Sequence, residues 1–203
     1  MKLSVVVVAA GSSRRFGSSK MQYVMSDGRV LLEHSLDIYE SVGNIESIKI
    51  TPVIVVLPPD NASLKKIVEA RGAIAKDCPD SHQGMSASIK AGLSYAVSST
   101  TNLEACLIAL GDMPYVAPKT IELLINSAQP NKIIIPYQFK ADGKSKNGNP
   151  VIFGKEFFPE ILALQGDKGA KSVLNANPQA QCFIEVQDAG IFQDIDRPED
   201  LKI

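Results

Sequence analysis

Short runs of β-branched and other apolar residues recur along the chain, and stretches with helical spacing separate them. Residues 3–8, 52–57, 103–110 and 132–136 are almost continuously apolar and are punctuated by Gly, Pro or Asp. That pattern predicts strands buried on both faces. Between them, residues 31–42, 61–70, 84–98 and 118–128 place apolar side chains three and four apart, as at Ile89, Leu93 and Val97 or Ile121, Leu124 and Ile125, the spacing of an amphipathic helix. Strands that alternate with helices are joined by crossovers, run parallel and carry helices on both faces. The expectation is therefore a three-layer α/β fold. Ligands in such sheets collect beyond the carboxyl ends of the strands, so the loops after Val8, Leu57 and Leu110 are where chemistry is expected.

Further along, residues 138–150 are polar and rich in Lys and Gly, which fits a mobile excursion from the sheet or a solvated hairpin tip. Residues 151–153 and 182–186 fit strands, and 157–164 and 170–175 fit helices. Asp194 to Leu201 reads as a strand end followed by a final helix with Pro198 near its first turn. With 203 residues, 45% of them hydrophobic, and neither repeat nor linker, residues 1–203 are expected to form one domain.

Charge and cysteine usage remove several function classes. Lys plus Arg number 21 against 22 Asp plus Glu, so no broad cationic surface exists to bind nucleic acid. Cys78, Cys106 and Cys182 are scattered, and no C-x-x-C or H-E-x-x-H spacing is present, which argues against a disulfide framework or structural zinc and for a reducing, cytoplasmic compartment. The apolar run ending at Ala10 is far short of the roughly 20 residues of a membrane span. It is followed by Gly11-Ser12-Ser13-Arg14-Arg15 rather than a cleavable small-residue site, so a buried strand is expected, not a signal peptide.

The stretch from Ala9 to Lys20 has the composition of a phosphate loop: small residues let backbone N–H groups approach a polyphosphate, and Arg15 and Lys20 supply positive charge. It is neither a Walker A motif nor G-x-G-x-x-G. Composition alone fits a glycine-rich turn with solvated arginines equally well. In Leu110-Gly111-Asp112-Met113-Pro114, Asp112 at a strand tip is suited to Mg²⁺, which bridges carboxylates and substrate phosphates, or to a turn in which it bonds its own backbone. Asp194 and Asp196 offer a second carboxylate, and also suit a helix N-terminus. The run 83–88 opens a helix whose Ser86 and Ser88 would face a base, ribose or phosphate, or merely cap it. No G-x-S-x-G elbow is present. His34 reads as an ordinary helix residue and Cys106 as a small hydrophobe.

Taken in order, these pieces resemble the MobA-like nucleotidyltransferase family, most closely its molybdenum-cofactor cytidylyltransferase (MocA-like) branch. Gly11, Ser13, Arg15, Phe16, Gly17 and Lys20 fill the pattern Leu-Ala-Ala-Gly-x-Ser-x-Arg-Met/Phe-Gly followed by Lys, with Val8 in place of the leucine. The runs 83–88, 111–114, 148–151, 166–171 and 194–201 match in the same order, so the resemblance covers essentially the whole chain. It implies a Rossmann-like sheet of the nucleotide-diphospho-sugar transferase type and Mg²⁺-dependent transfer of a nucleoside monophosphate with release of pyrophosphate. In that branch the acceptor is the terminal phosphate of molybdopterin and the product serves a molybdenum hydroxylase. Ala9-Ala10-Gly11 is similar to the CTP-using branch; the GTP-using branch usually carries glycine at the second position. The implied catalytic residues are Arg15, Lys20 and Asp112. Ala9, Ala10, Gly11, Ser13, Arg15, Lys20, Gly84 and Ser88 would bind nucleotide, Asn149, Asp167 and Lys171 the acceptor, and Asp112 with Asp196 the metal. Lys171 stands where the family often has Arg and Arg197 where it often has Thr, which leaves the acceptor open. The alternatives are a guanylyl- or other cytidylyltransferase acting on a sugar or polyol phosphate, and a non-catalytic molybdopterin chaperone. A Rossmann redox module comes last.

Overall fold

A strand that must be apolar on both sides belongs in the middle of a covered sheet, and β1 (Lys2–Val8) is buried along all but its first residue. The computed structural model describes residues 1–11, 16, 19–40, 48–139, 143–167 and 169–201. Along the chain the other strands are β2 (Lys49–Ile50), β3 (Ile54–Leu57), β4 (Ile74–Asp77), β5 (Ala105–Leu110), β6 (Ile133–Phe139), β7 (Ser145–Asn147), β8 (Val151–Gly154) and β9 (Gln181–Glu185). The helices are α1 (Leu31–Glu40), α2 (Ala62–Ala70), α3 (Met85–Ser99), α4 (Pro118–Asn126), α5 (Phe158–Leu162) and α6 (Lys171–Ala176).

These strands make one mostly parallel sheet in the order β4-β3-β1-β5-β8-β6-β7, with β2 on the start of β1 and β9 on β6. β8 is antiparallel to both its neighbours, β5 and β6, so β6 again runs parallel to β5. Alternate residues of β1 serve different layers. Val5, Val7 and Ala9 pack with α1, α2 and α4 through Leu32, Leu36, Leu64, Val68, Ile121 and Leu124. Val6, Val8 and Ala10 pack with α3, α5 and α6 through Ile89, Leu93, Ile161 and Val173. Each such side chain removed from water contributes about 1.5–3 kcal/mol. α3 lies close on the sheet because Gly92 lacks a side chain; a Cβ there would meet Val6 Cγ1 at 2.3 Å and Val56 Cγ2 at 2.9 Å. Among the described residues no helix is long and apolar enough to cross a membrane.

Several sequence expectations are corrected. Of the two readings of residues 138–150, the excursion gives way to the hairpin: β7 pairs antiparallel with the end of β6, Tyr137 opposite Asn147 and Phe139 opposite Ser145; residues 140–142 lie outside the described set. β4 was not foreseen: Ile74-Ala75-Lys76-Asp77 is a partly exposed edge strand held by β3. The segment at 194–196 is not a strand end. The Ile195 N–H donates to the Asp112 carbonyl (2.9 Å), and the expected final helix is a single 3₁₀ turn, Pro198–Asp200. Asp200 Oδ2 there accepts from the Asp196 and Arg197 N–H groups.

Candidate active site

Beyond Val8 the chain stays buried through Ala9 and Ala10 before emerging at Gly11. The Gly111 N–H donates to the Val8 carbonyl (2.9 Å), and a Cβ at Gly111 would lie 2.9 Å from that of Ala9. Glycine is therefore required where the tips of β1 and β5 meet. The Ser35 hydroxyl of α1 donates to the Gly111 carbonyl (2.7 Å), and Ile195 holds the next carbonyl, so Asp112 is fixed by backbone on both sides.

Its side chain points to Lys20, which lies in a 3₁₀ turn, Lys20–Gln22. Lys20 Nζ stands 2.6 Å from Asp112 Oδ2 and 3.4 Å from Asp196 Oδ1. The Lys20 and Asp112 side chains are only 10% and 19% exposed. Asp112 Oδ1 is buried and has no hydrogen-bond partner among the described residues. Burial pushes the Asp112 carboxyl above the usual carboxylate range; Lys20 pulls it down without cancelling the effect, and the charge of Asp194 adds to the upward push.

A buried carboxylate oxygen without a donor is where a cation is expected, because leaving it unmet costs the desolvation of a charged acceptor. No group of three His, Cys, Asp or Glu side chains among the described residues forms a ready-made metal cage. Mg²⁺ does not need one, since it is usually held by one or two carboxylates with waters and substrate phosphates completing the octahedron. Asp112 and Asp196 fit that mode.

The carboxylates open into a cleft of about 730 Å³ whose far wall is the start of α3. Gly84 (φ +107°) turns the chain into that helix, and a Cβ at Gly84 would lie 2.9 Å from the Asp167 Cα. The Met85 N–H donates to Asp167 Oδ1 (3.1 Å), and the Ser86 N–H donates to the Gly166 carbonyl (3.3 Å). Asp167 therefore supplies the acceptor that an N-terminal helix turn needs. Ser88 lines the cleft and hydrogen-bonds the Cys78 thiol, which burial pushes up.

The structure thus brings Ala10, Gly11, Lys20, Gly84, Ser88, Asp112, Asp167 and Asp196 to one cleft, with Ala9 buried beneath it. Ser13 and Arg15 lie outside the described residues. Asn149 and Lys171 do not line the cleft. The Asn149 N–H donates to the Ile191 carbonyl (2.9 Å), and the β5–β8 register, continued, sets Asn149 level with Leu110. Lys171 is exposed at the start of α6. Gln83, from the run singled out in the sequence, lines the cleft as well, and so do Ser81 and His82, which were not singled out. Their signal is adjacency to Gly84.

The family described as the MobA-like NTP transferase domain matches residues 5–181. The purine catabolism protein PucB of Bacillus subtilis is 26% identical, with 96% of this chain and 92% of PucB aligned. A probable molybdenum cofactor guanylyltransferase of Pyrococcus horikoshii is 25% identical over 100% of this chain and 99% of its own. The crystal structure of Rv0371c from Mycobacterium tuberculosis superposes with a TM-score of 0.75 at 25% identity, covering 98% of this chain and 94% of that one. A structure of Rv0371c in complex with manganese gives 0.70 at 20% identity, covering 99% and 92%.

Proposed function

Because the chain belongs to the MobA-like NTP transferase family, we propose that it is a cytidylyltransferase that moves CMP from CTP to the terminal phosphate of molybdopterin and releases pyrophosphate. The Asp112 carboxylate supports this reading: one oxygen is paired with Lys20, the other is buried without a donor among the described residues, and both stand at the mouth of a cleft between Gly11 and α3. The choice of CTP rests on Ala9-Ala10-Gly11. The name of the Pyrococcus relative favours GTP, which is the second reading.

In the proposed reaction an acceptor phosphate oxygen forms a bond to the α-phosphorus while the bond from that phosphorus to the α,β-bridging oxygen breaks. The electron pair leaves with pyrophosphate. A phosphate nucleophile is already ionised near neutral pH, so no general base is needed, and the protein's task is to position groups and neutralise charge. Lys20, together with Arg15, would meet the β- and γ-phosphates. Gly11, Ser13, Gly84 and Ser88 would face the nucleotide. Asn149, Asp167 and Lys171 are assigned to the acceptor side, Asp167 through its hold on the start of α3. Asp112 and Asp196 would hold Mg²⁺, which when bound offsets negative charge on the α-phosphate and leaving group; the manganese complex of Rv0371c supports a divalent ion. We assign residues 1–203 to one such domain, working in the cytoplasm and passing its product to a molybdenum hydroxylase.

The test is pyrophosphate release by purified protein with Mg²⁺, molybdopterin and each NTP. CTP should be used well above GTP. Equal use of GTP would move the base assignment, turnover only with a sugar or polyol phosphate would move the acceptor, and tight molybdopterin binding without nucleotide consumption would make the protein a carrier. Asp112→Ala should lower the rate by roughly two to three orders of magnitude, about 3–4 kcal/mol of lost transition-state stabilisation.

A further inference from the structure

Away from the cleft, Phe139 and Phe183 are 54% and 49% exposed. Together with Tyr137, Ser145 and Asn147 they line a cavity of about 600 Å³. Half-exposed aromatic neighbours on a sheet are costly to keep in water and mark binding surfaces. Phe139 and Phe183 each meet Tyr137 edge-on, at 5.5 and 6.3 Å between centroids and with interplanar angles of 81° and 89°. Neither is stacked on Tyr137, so among the described residues no internal ring stack covers their flat faces.

Sheet register places this cavity relative to the reacting groups. Ile134 pairs with Ile152, and Ile152 with Leu107. Continued toward the carboxyl ends, this sets Tyr137 level with Leu110 and Phe139 level with Asp112. Tyr137 and Phe139 alternate onto the side of Ile133 and Ile135, which share a core with Val6, Val8 and Ala10. Cavity and cleft therefore lie on the same face and the same edge of the sheet. β8 stands between β5 and β6, so Tyr137 and Phe139 are about two strand spacings, roughly 10 Å, from β5, and Phe183 on β9, beyond β6, is one spacing further.

We propose that Tyr137, Phe139 and Phe183 seat the flat pyrimidinone end of the acceptor's fused pterin ring system, at a distance that lets its phosphate arm reach the nucleotide beside Asp112. This rests on the nucleotidyl-transfer reading above and adds where and how the acceptor is held. Rings stack on a π-system of this kind in an offset or edge-on manner. Ser145 and Asn147, opposite Phe139 and Tyr137, bring a hydroxyl and an amide that complement the nitrogens and carbonyl of such a ring. The Tyr137 hydroxyl donates to Glu185 Oε2 (3.5 Å), which holds the central ring in place. Lys146 also lines the cavity, with its ammonium drawn 4.5 Å over the Phe192 ring.

The test titrates the full chain with neopterin monophosphate, reading quenching of pterin fluorescence, with ribose 5-phosphate as the non-aromatic competitor. Phe139→Ala and Phe183→Ala should each weaken pterin binding roughly 5- to 100-fold, the range for losing one stacking partner. CTP affinity and melting temperature should stay unchanged. Phe183→Tyr should restore binding and Phe183→Leu should not, which separates stacking from mere apolar contact. Unchanged pterin affinity in the double alanine variant, equal rescue by leucine, or an effect confined to self-association in sedimentation would each overturn the proposal. Pterin binding without nucleotide turnover would sink the transfer reading and leave the seat standing. Turnover on a sugar phosphate that ignores both phenylalanines would do the reverse.

Discussion

Replacing Lys20 by Met removes an ammonium and little volume, and the structure says what is left behind. The partner Asp112 keeps one oxygen without a donor among the described residues and loses its 2.6 Å contact on the other. Removing one member of a buried pair costs about 3–5 kcal/mol, because the remaining charge is uncompensated. Asp112 is 19% exposed rather than fully buried and can escape part of the cost by taking up a proton, so we expect about 3 kcal/mol at pH 7. Its carboxyl already lies above the ordinary value of 3.8, and losing Lys20 raises it further. A carboxyl raised in the folded state favours folding below its unfolded pKa, and that contribution is lost as pH rises through the folded one. The penalty of Lys20→Met should therefore be smaller at pH 5 than at pH 7. Adding Asp112→Asn should recover part of the loss. Urea unfolding of the four proteins in the cycle at both pH values measures this. A penalty below about 0.5 kcal/mol at pH 7, with the two substitutions simply additive, would refute the coupling.

Other perturbations test other parts of the molecule. Burial would raise the Asp37 carboxyl, but hydrogen bonds from Arg29 and Arg71 outweigh it and hold it below 3.8; its stabilisation is present above 3.8 and lost as pH falls further, so Asp37→Asn should flatten the acid limb of melting temperature between pH 5 and pH 3. Gly190→Ala would put a Cβ 2.0 Å from the Tyr115 carbonyl oxygen, a clash with backbone that should cost about 3 kcal/mol in urea unfolding and lower turnover by moving the loop that carries Asp112. The Cys106 thiol, buried in β5, is pushed up to about 12, so native protein at pH 8 should resist iodoacetamide at this position until it unfolds; mass spectrometry of folded samples showing fast labelling would contradict the buried placement.

The central strands were readable because nothing but a doubly covered strand explains Val5-Val6-Val7-Val8 or the run through Leu107 and Ile108. β7 was not readable, since Ser145-Lys146-Asn147 carries no apolar residue and exists as a strand only because β6 offers a ladder. β4 escaped for a related reason: Lys76 and Asp77 mask a short edge strand whose register is set by β3. At the cleft, loop composition and a strand-tip position made Lys20 and Asp112 candidates and the family resemblance joined them, although 92 residues separate them. What Asp167 does at the start of α3 depends on a contact across 82 residues, and no local pattern encodes it. The same holds for Asp188, which accepts from the Ala117 N–H and the Thr120 hydroxyl and ties the beginning of α4 to the turn carrying Gly190.

The position of β1 between β3 and β5 has a cost during synthesis. As the chain leaves the ribosome, its most apolar segment is made early, yet one neighbour starts at residue 54 and the other at residue 105. For that interval an edge carrying Leu3 and Val5 to Val8 stands open to any passing strand. Nascent chains stalled between those two residues should therefore be the form most dependent on chaperone cover.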